Sequence, residues 1–180
     1  MKHFYVIRHC EAEGQQSDAK LTIKGKKQAI ELADFFENIK VDRIISSPYT
    51  RAIETIEPLA KMLGLTIIKD ERLVERVLCQ TALPDWLDWL RASFDHPEMR
   101  LSGGETSREA MERVLSVLSD ELKQEEQSIV LVSHGNLITL LLHSFDSSYG
   151  FASWTNLTNP DIFKLTFDEE KVKIERIWNQ

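Results

Sequence analysis

Short apolar runs alternate with amphipathic stretches along most of this chain. His3-Phe4-Tyr5-Val6-Ile7 is β-branched and aromatic and largely free of charge, the pattern of a buried strand in a covered sheet. Glu11 to Lys20 is polar and has no apolar period, which gives a loop over the end of that strand. Thr22 is placed to cap a helix reaching about Ile39, with Ala29, Leu32, Ala33 and Phe36 on its inner face and Lys24, Lys26 and Lys27 on its solvated one. Asp42 to Ser46 forms a second strand. Ser47 and Pro48 then supply an N-cap and a proline at the first helical position. The helix they open turns Ala52, Ile53, Ile56, Leu59, Ala60 and Leu63 inward, carries Pro58 as a kink and stops at Gly64. Leu65 to Ile68 is a third strand, and Asp70 to Arg76, too charged for a core, is expected to be a solvated turn.

Leu83, Trp86, Leu87, Leu90 and Phe94 recur at helical spacing after Pro84-Asp85. This helix either packs one face on the domain or forms a lid over a site. Ser102-Gly103-Gly104-Glu105 is a loop, and Thr106 with Glu109 makes a capping box for a helix that buries Ala110, Val114, Val117, Leu118 and Leu122. Ser128 to Val132 is an apolar strand of parallel type, followed by Ser133-His134-Gly135-Asn136 and an apolar helix from Leu137 to His143. Ile162 to Phe167 alternates, and Asp168-Glu169-Glu170-Lys171 turns it into Val172 to Trp178, a terminal hairpin at the sheet edge. Strands and helices in this order make an α/β protein, and 180 residues with 42% hydrophobic content suit a single domain spanning residues 1–180.

Charge narrows the partners. A net charge of −7 argues against nucleic acid or an anionic membrane, since phosphate-backbone binding needs an extended basic face. No apolar run approaches the roughly 18 residues of a membrane span, and Met1-Lys2-His3 does not begin a signal peptide, so a soluble, cytoplasmic chain is expected. Cys10 and Cys79 lack metal-ligand spacing and fit a reducing compartment better than a disulfide. A small anion remains a possible ligand, given a local cluster of cations and helix N-termini.

Such a cluster is visible. Arg8 and His9 stand at the carboxyl end of the first strand, where open α/β sheets collect their ligands. A guanidinium matches a pair of anionic oxygens, and a neutral imidazole nitrogen can attack phosphorus. His134 repeats the arrangement at the end of a second apolar strand, with Gly135 at a helix start beyond it, so the two ends can converge. Arg51 falls in the first turn of its helix, where its charge and the helix dipole act on one volume. Ser133-His134 invites a serine hydrolase reading, but no G-x-S-x-G elbow occurs, nor a P-loop or dinucleotide fingerprint.

Taken in order, Arg8-His9-Cys10-Glu11-Ala12, Leu21-Thr22-x-x-Gly25-x-x-Gln28-Ala29, Ser46-Ser47-Pro48-x-x-Arg51-Ala52-x-x-Thr55, Leu73-x-Glu75, Gly103-Gly104-Glu105 and Val132-Ser133-His134-Gly135 resemble the histidine phosphatase superfamily, the phosphoglycerate mutase-like proteins. The resemblance implies a three-layer α/β/α fold around a mostly parallel sheet. It implies His9 as nucleophile, Arg8, Arg51 and His134 around the phosphoryl group, Glu75 as proton donor, and substrate contacts from Gln15 and Gly135. No metal or other cofactor is implied, and the partner is a small phosphorylated substrate; the edge hairpin is compatible with both a monomer and a sheet-paired homodimer. The sequence departs from the family at Cys10, where glycine is usual, at Ala12 in place of a hydroxyl residue, and at Gln15 in place of asparagine. Cys10 is expected to place a Cβ and an oxidisable thiol beside the site. A chain short for a mutase favours a phosphomonoesterase; a mutase and a weakly catalytic phospho-ligand binder are the alternatives.

Overall fold

The computed structural model describes residues 1–168 and 171–178. In chain order the elements are β1 (Lys2–Arg8), α1 (Ile23–Phe35), β2 (Arg43–Ser46), α2 (Thr50–Leu63), β3 (Ile67–Lys69), α3 (Trp86–Asp95), α4 (Ser107–Leu122), β4 (Ser128–Ser133), α5 (Gly135–Phe145), α6 (Phe151–Thr155), β5 (Asp161–Asp168) and β6 (Lys171–Arg176). The strands form one six-stranded sheet in the order β3-β2-β4-β1-β5-β6. The first four in that order run parallel, and β5 and β6 add an antiparallel hairpin.

The central strands β1 and β4 are apolar on both faces, and each face has its own helical layer. Phe4, Val6, Ile129 and Leu131 pack with Val114, Leu118, Leu137 and Leu141 of α4 and α5. Tyr5, Ile7, Val130 and Val132 pack with Leu32, Phe36, Ile56 and Leu59 on the α1 and α2 side. The period of two along each strand thus feeds both layers, giving the expected three-layer α/β/α fold. The parallel register pairs Arg8 with Ser133, so the residues that follow, His9 and His134, leave neighbouring strands at the same level.

Several boundaries differ from the sequence reading. α1 ends at Phe35 rather than Ile39, because the Phe36 N–H tightens onto the Ala33 carbonyl. α2 starts at Thr50 rather than Pro48: Ser47 is held to the sheet by its N–H bond to the Val132 carbonyl, and Tyr49 takes the cap position. The helix runs on through Pro58 and ends at Gly64, whose φ of 66° is the left-handed cap glycine permits. β3 begins at Ile67 because the Leu65 N–H closes the end of α2 on Ala60. At the end of α4, Leu122 is 40% exposed, not buried. The short helix α6 has no counterpart in the hydrophobic pattern. Of the two hairpin strands only β6 is an edge, since β5 pairs with β1 on its other side; β3 is the opposite edge of the sheet. The turn at Glu169-Glu170 lies outside the described residues.

The largest correction concerns Asp70 to Arg76. Instead of a solvated turn, Glu71–Leu73 is a 3-10 turn that buries Leu73, and Arg76 is 5% exposed. Burial of this guanidinium is offset by acceptors: Arg76 donates to Ser93 Oγ at 3.0 Å and twice to the Glu105 carbonyl, at 3.2 and 3.3 Å. The segment therefore crosses the carboxyl end of the sheet. Among the described residues no helix is long and apolar enough to cross a membrane.

Candidate active site

The sequence after β1 returns immediately to the sheet, which fixes His9. Its backbone N–H donates to the Ser133 carbonyl at 3.2 Å, and its carbonyl accepts from Asn159 Nδ2 at 2.8 Å. The ring is only 7% exposed. Its Nδ1 donates to the Cys10 carbonyl at 2.7 Å; a carbonyl can only accept, so Nδ1 carries the proton and Nε2 keeps its lone pair. That lone pair accepts from Arg51 Nε at 3.2 Å. Burial pushes the His9 pKa down to about 3, helped by the charges of Arg51 and Arg8 and opposed by the Cys10 carbonyl. The imidazole is therefore neutral at neutral pH.

Arg51 sits in the first turn of α2, as its position after Ser47-Pro48 predicts, and is 1% exposed. Its Nη1 donates to the carbonyls of Gln15 and Gln16 at 3.2 and 2.7 Å, and it lies over the Tyr49 ring. Thr55, one turn on, accepts the Cys10 N–H at 2.9 Å and donates to the Arg51 carbonyl. Gly25 lets α1 press against the other side of this loop, where a Cβ would collide with the Glu11 carbonyl. The loop carrying the site is thus held from α1 and α2 together.

Cys10 does not behave as expected. Its side chain points away from the site into a small cluster with Leu21 and Ala29, fully buried, and only its carbonyl faces His9. Burial pushes the thiol up to about 12, so it stays protonated and unreactive. Cys10 and Cys79 are both free.

His134 is completely buried at the N-cap of α5. Its Nε2 is 2.8 Å from Ser47 Oγ, while its buried Nδ1 has no partner among the described residues. The His9 and His134 rings are 5.2 Å apart, and Tyr49 packs edge-on against His134 at 5.0 Å. Burial holds the His134 pKa well below its ordinary value, with the nearness of the titratable His9 ring and the Arg51 charge adding to the effect. Arg8 Nη1 donates weakly to the carbonyls of Leu157 and Thr158, its buried Nε has no partner among the described residues, and a Cβ on Gly135 would stand 3.2 Å from it. Glycine thus lets the guanidinium lie against the start of α5.

Glu75, indistinguishable from surface charge in sequence, is drawn in by that same helix start. Its carboxylate accepts from the N–H groups of Asn136 and Leu137 at 3.1 and 2.9 Å, and from its neighbour Arg76 at 2.8 Å. The α5 amides expected to face a substrate anion hold this carboxylate instead. Arg8, Glu75 and Gln15 line one cavity of about 390 Å3, together with Arg76, Asn136 and an apolar wall of Leu78, Leu90, Trp86 and Trp154. All seven sequence candidates are thus gathered at one end of the sheet. Ser47, Thr55, Asn159 and Trp154 escaped the sequence reading; Ser47 and Thr55 lay inside a recognised motif, whereas nothing local marks Asn159 or Trp154. Among the described residues, no three His, Cys, Asp or Glu side chains cluster as metal ligands.

A family model for the histidine phosphatase superfamily, branch 1, matches residues 4–180. A putative phosphoserine phosphatase of Hydrogenobacter thermophilus is 32% identical, aligned over 77% of this chain and 75% of its own length. A probable phosphoglycerate mutase of Salmonella choleraesuis is 28% identical over 95% of this chain and 87% of its own. Among solved structures, mycobacterial glucosyl-3-phosphoglycerate phosphatase superposes with a TM-score of 0.77 at 23% identity, over 99% of this chain and 98% of that one. Phosphoserine phosphatase of Entamoeba histolytica, in complex with 3-phosphoglyceric acid, gives 0.77 at 22%, over 100% and 98%. The two structures share the fold; the family model and the Hydrogenobacter relative go further, and the chain belongs to the histidine phosphatase superfamily.

Proposed function

We propose that the protein hydrolyses a small phosphomonoester through a phosphohistidine on His9. The observation that supports this most is the His9 ring itself. It is neutral, locked by Nδ1 to the Cys10 carbonyl, and presents its Nε2 lone pair to Arg51 with the His134 ring 5.2 Å away. In the first step Nε2 attacks phosphorus and the ester P–O bond breaks, while Glu75, entering the step as the carboxylic acid, delivers its proton to the departing oxygen and is left as the carboxylate. The ring then bears positive charge, which the Cys10 carbonyl stabilises. Arg8, Arg51 and His134 surround the phosphoryl oxygens and supply the charge stabilisation that phosphoryl transfer requires. In the second step the Glu75 carboxylate takes a proton from water, water oxygen bonds to phosphorus, and the N–P bond breaks. Inorganic phosphate leaves and His9 is neutral again. The guanidinium charges occupy the role a cation would otherwise fill, so turnover should survive a chelator.

Length alone does not separate hydrolysis from phosphoryl transfer between hydroxyls, because this chain spans 87% of the named mutase. The open rim of the cavity, where Trp86 is 46% exposed, admits water and supports hydrolysis. Two unpaired cysteines fit a cytoplasmic setting. The test is phosphate release from 4-nitrophenyl phosphate with chelator present, beside the H9A variant and a trap for acid-labile phosphohistidine. Release by the parent alone, with a trapped intermediate, is the expected result. An equally active H9A would overturn the nucleophile assignment, and transfer between phosphoglycerate hydroxyls faster than release would make the protein a mutase.

A further inference from the structure

The apolar wall of the cavity has a chemistry of its own. Trp86 opens α3 and Trp154 comes from α6, 68 residues later, yet their rings meet edge to face at 5.9 Å and 89°. Both line the cavity, with Leu78 and buried Leu90 beside them. Trp154 is backed by Phe151 at 5.7 Å, and Phe151 in turn lies under the Arg91 guanidinium. Trp154 is thus supported from behind, whereas Trp86 remains 46% exposed. A half-exposed indole lining a cavity, braced by a perpendicular partner, offers a flat apolar surface to whatever enters.

Arg91 is drawn over the Phe151 ring, and the two cations that line the cavity are Arg8, assigned above to the phosphoryl group, and Arg76, which is already engaged by Ser93 Oγ and the Glu105 carbonyl. A carboxylate on the leaving group would have to compete with those bonds. An aromatic ring would displace only water from Trp86 and Trp154. We infer that Trp86 and Trp154 form a clasp for an aromatic or heteroaromatic leaving group, so that the preferred substrates are phosphate esters of ring-bearing alcohols. This rests on the phosphomonoesterase reading above and adds what stands beyond the scissile oxygen.

The test compares kcat/KM for 2-phenylethyl phosphate and ethyl phosphate, two esters whose alkoxide leaving groups have similar basicity, so the ratio reports recognition rather than bond strength. Burying one phenyl group predicts a preference of about 10- to 100-fold. W86A and W154A should each bring the ratio to within a few-fold of one, and W86F should keep most of it, which separates loss of the clasp from loss of the fold. A wild-type ratio near one, a ratio untouched by either alanine variant, or phosphoserine as the better substrate would overturn the clasp and leave the phosphatase intact. No phosphate from any of these esters and no phosphohistidine would instead overturn the phosphatase reading, and the clasp with it.

Discussion

His9 and His134 invite direct comparison. Each follows an apolar strand, β1 or β4, and the register sets them side by side. Both are buried and both are held neutral, yet they are wired oppositely. His9 spends its Nδ1 proton on the Cys10 carbonyl and turns Nε2 toward Arg51; His134 engages Nε2 with Ser47 and leaves Nδ1 without a partner. Strand-end position gives both rings the same address. The bond from Nδ1 to the Cys10 carbonyl fixes His9 in the tautomer whose Nε2 lone pair faces Arg51, whereas in His134 that same nitrogen is engaged by Ser47.

The sharpest way to break that comparison is to delete each ring in turn. H9A should lose at least about 10^3-fold in kcat and form no phosphohistidine, because the imidazole nitrogen that faces Arg51 is removed. H134A should lose about 10^2- to 10^3-fold, the effect of removing one stabilising donor, and still accumulate phosphohistidine on rapid quenching. If H134A rather than H9A abolishes the intermediate, the roles are reversed. E75Q tests the third group: it should cost about 10^2- to 10^4-fold on an alkyl phosphate and much less on 4-nitrophenyl phosphate, whose phenolate leaves without a proton. An equal loss on both esters would remove Glu75 as the acid.

What the two rings share is testable by pH. Their folded pKa values lie below the ordinary histidine value of 6.5, to about 3 for His9, so the unfolded chain binds more protons between those limits. Stability should therefore be full above pH 6.5 and fall as the pH drops toward 3. For His9 each pH unit in that window contributes up to about 1.4 kcal/mol, readable as a falling urea midpoint, and His134 acts in the same direction. H9A should lessen that slope; an unchanged slope would mean the acid sensitivity arises elsewhere. The smallest expected effect is that of S47A, which frees the His134 ring and should lower kcat by about fivefold, the worth of one hydrogen bond.

Much of this arrangement was legible in residue order. Apolar runs ending in Arg8-His9 and Ser133-His134 located two strand ends, and Thr106 with Glu109 announced the capping box of α4, because such signals act over a few residues. The seven-residue charged run from Asp70 was misleading for the same reason. Its burial depends on acceptors 17 and 29 residues away in sequence, Ser93 and Glu105, and on the amides of α5. Cys10 misled in the other direction: glycine replacement suggested crowding of the site, but the backbone turns the thiol into the core.

The sequence by itself determined the alternation of strands and helices, the two histidines at strand ends, and the family. Periodicity, caps and short motifs are local, and each is written within one turn or one strand. Tertiary structure alone decided that His9 presents Nε2 while His134 does not, that Glu75 closes on the start of α5, and that Trp86 meets Trp154. Each of these is a contact between segments distant in the chain, fixed by the order of strands in the sheet and by buried polar groups that must find a partner.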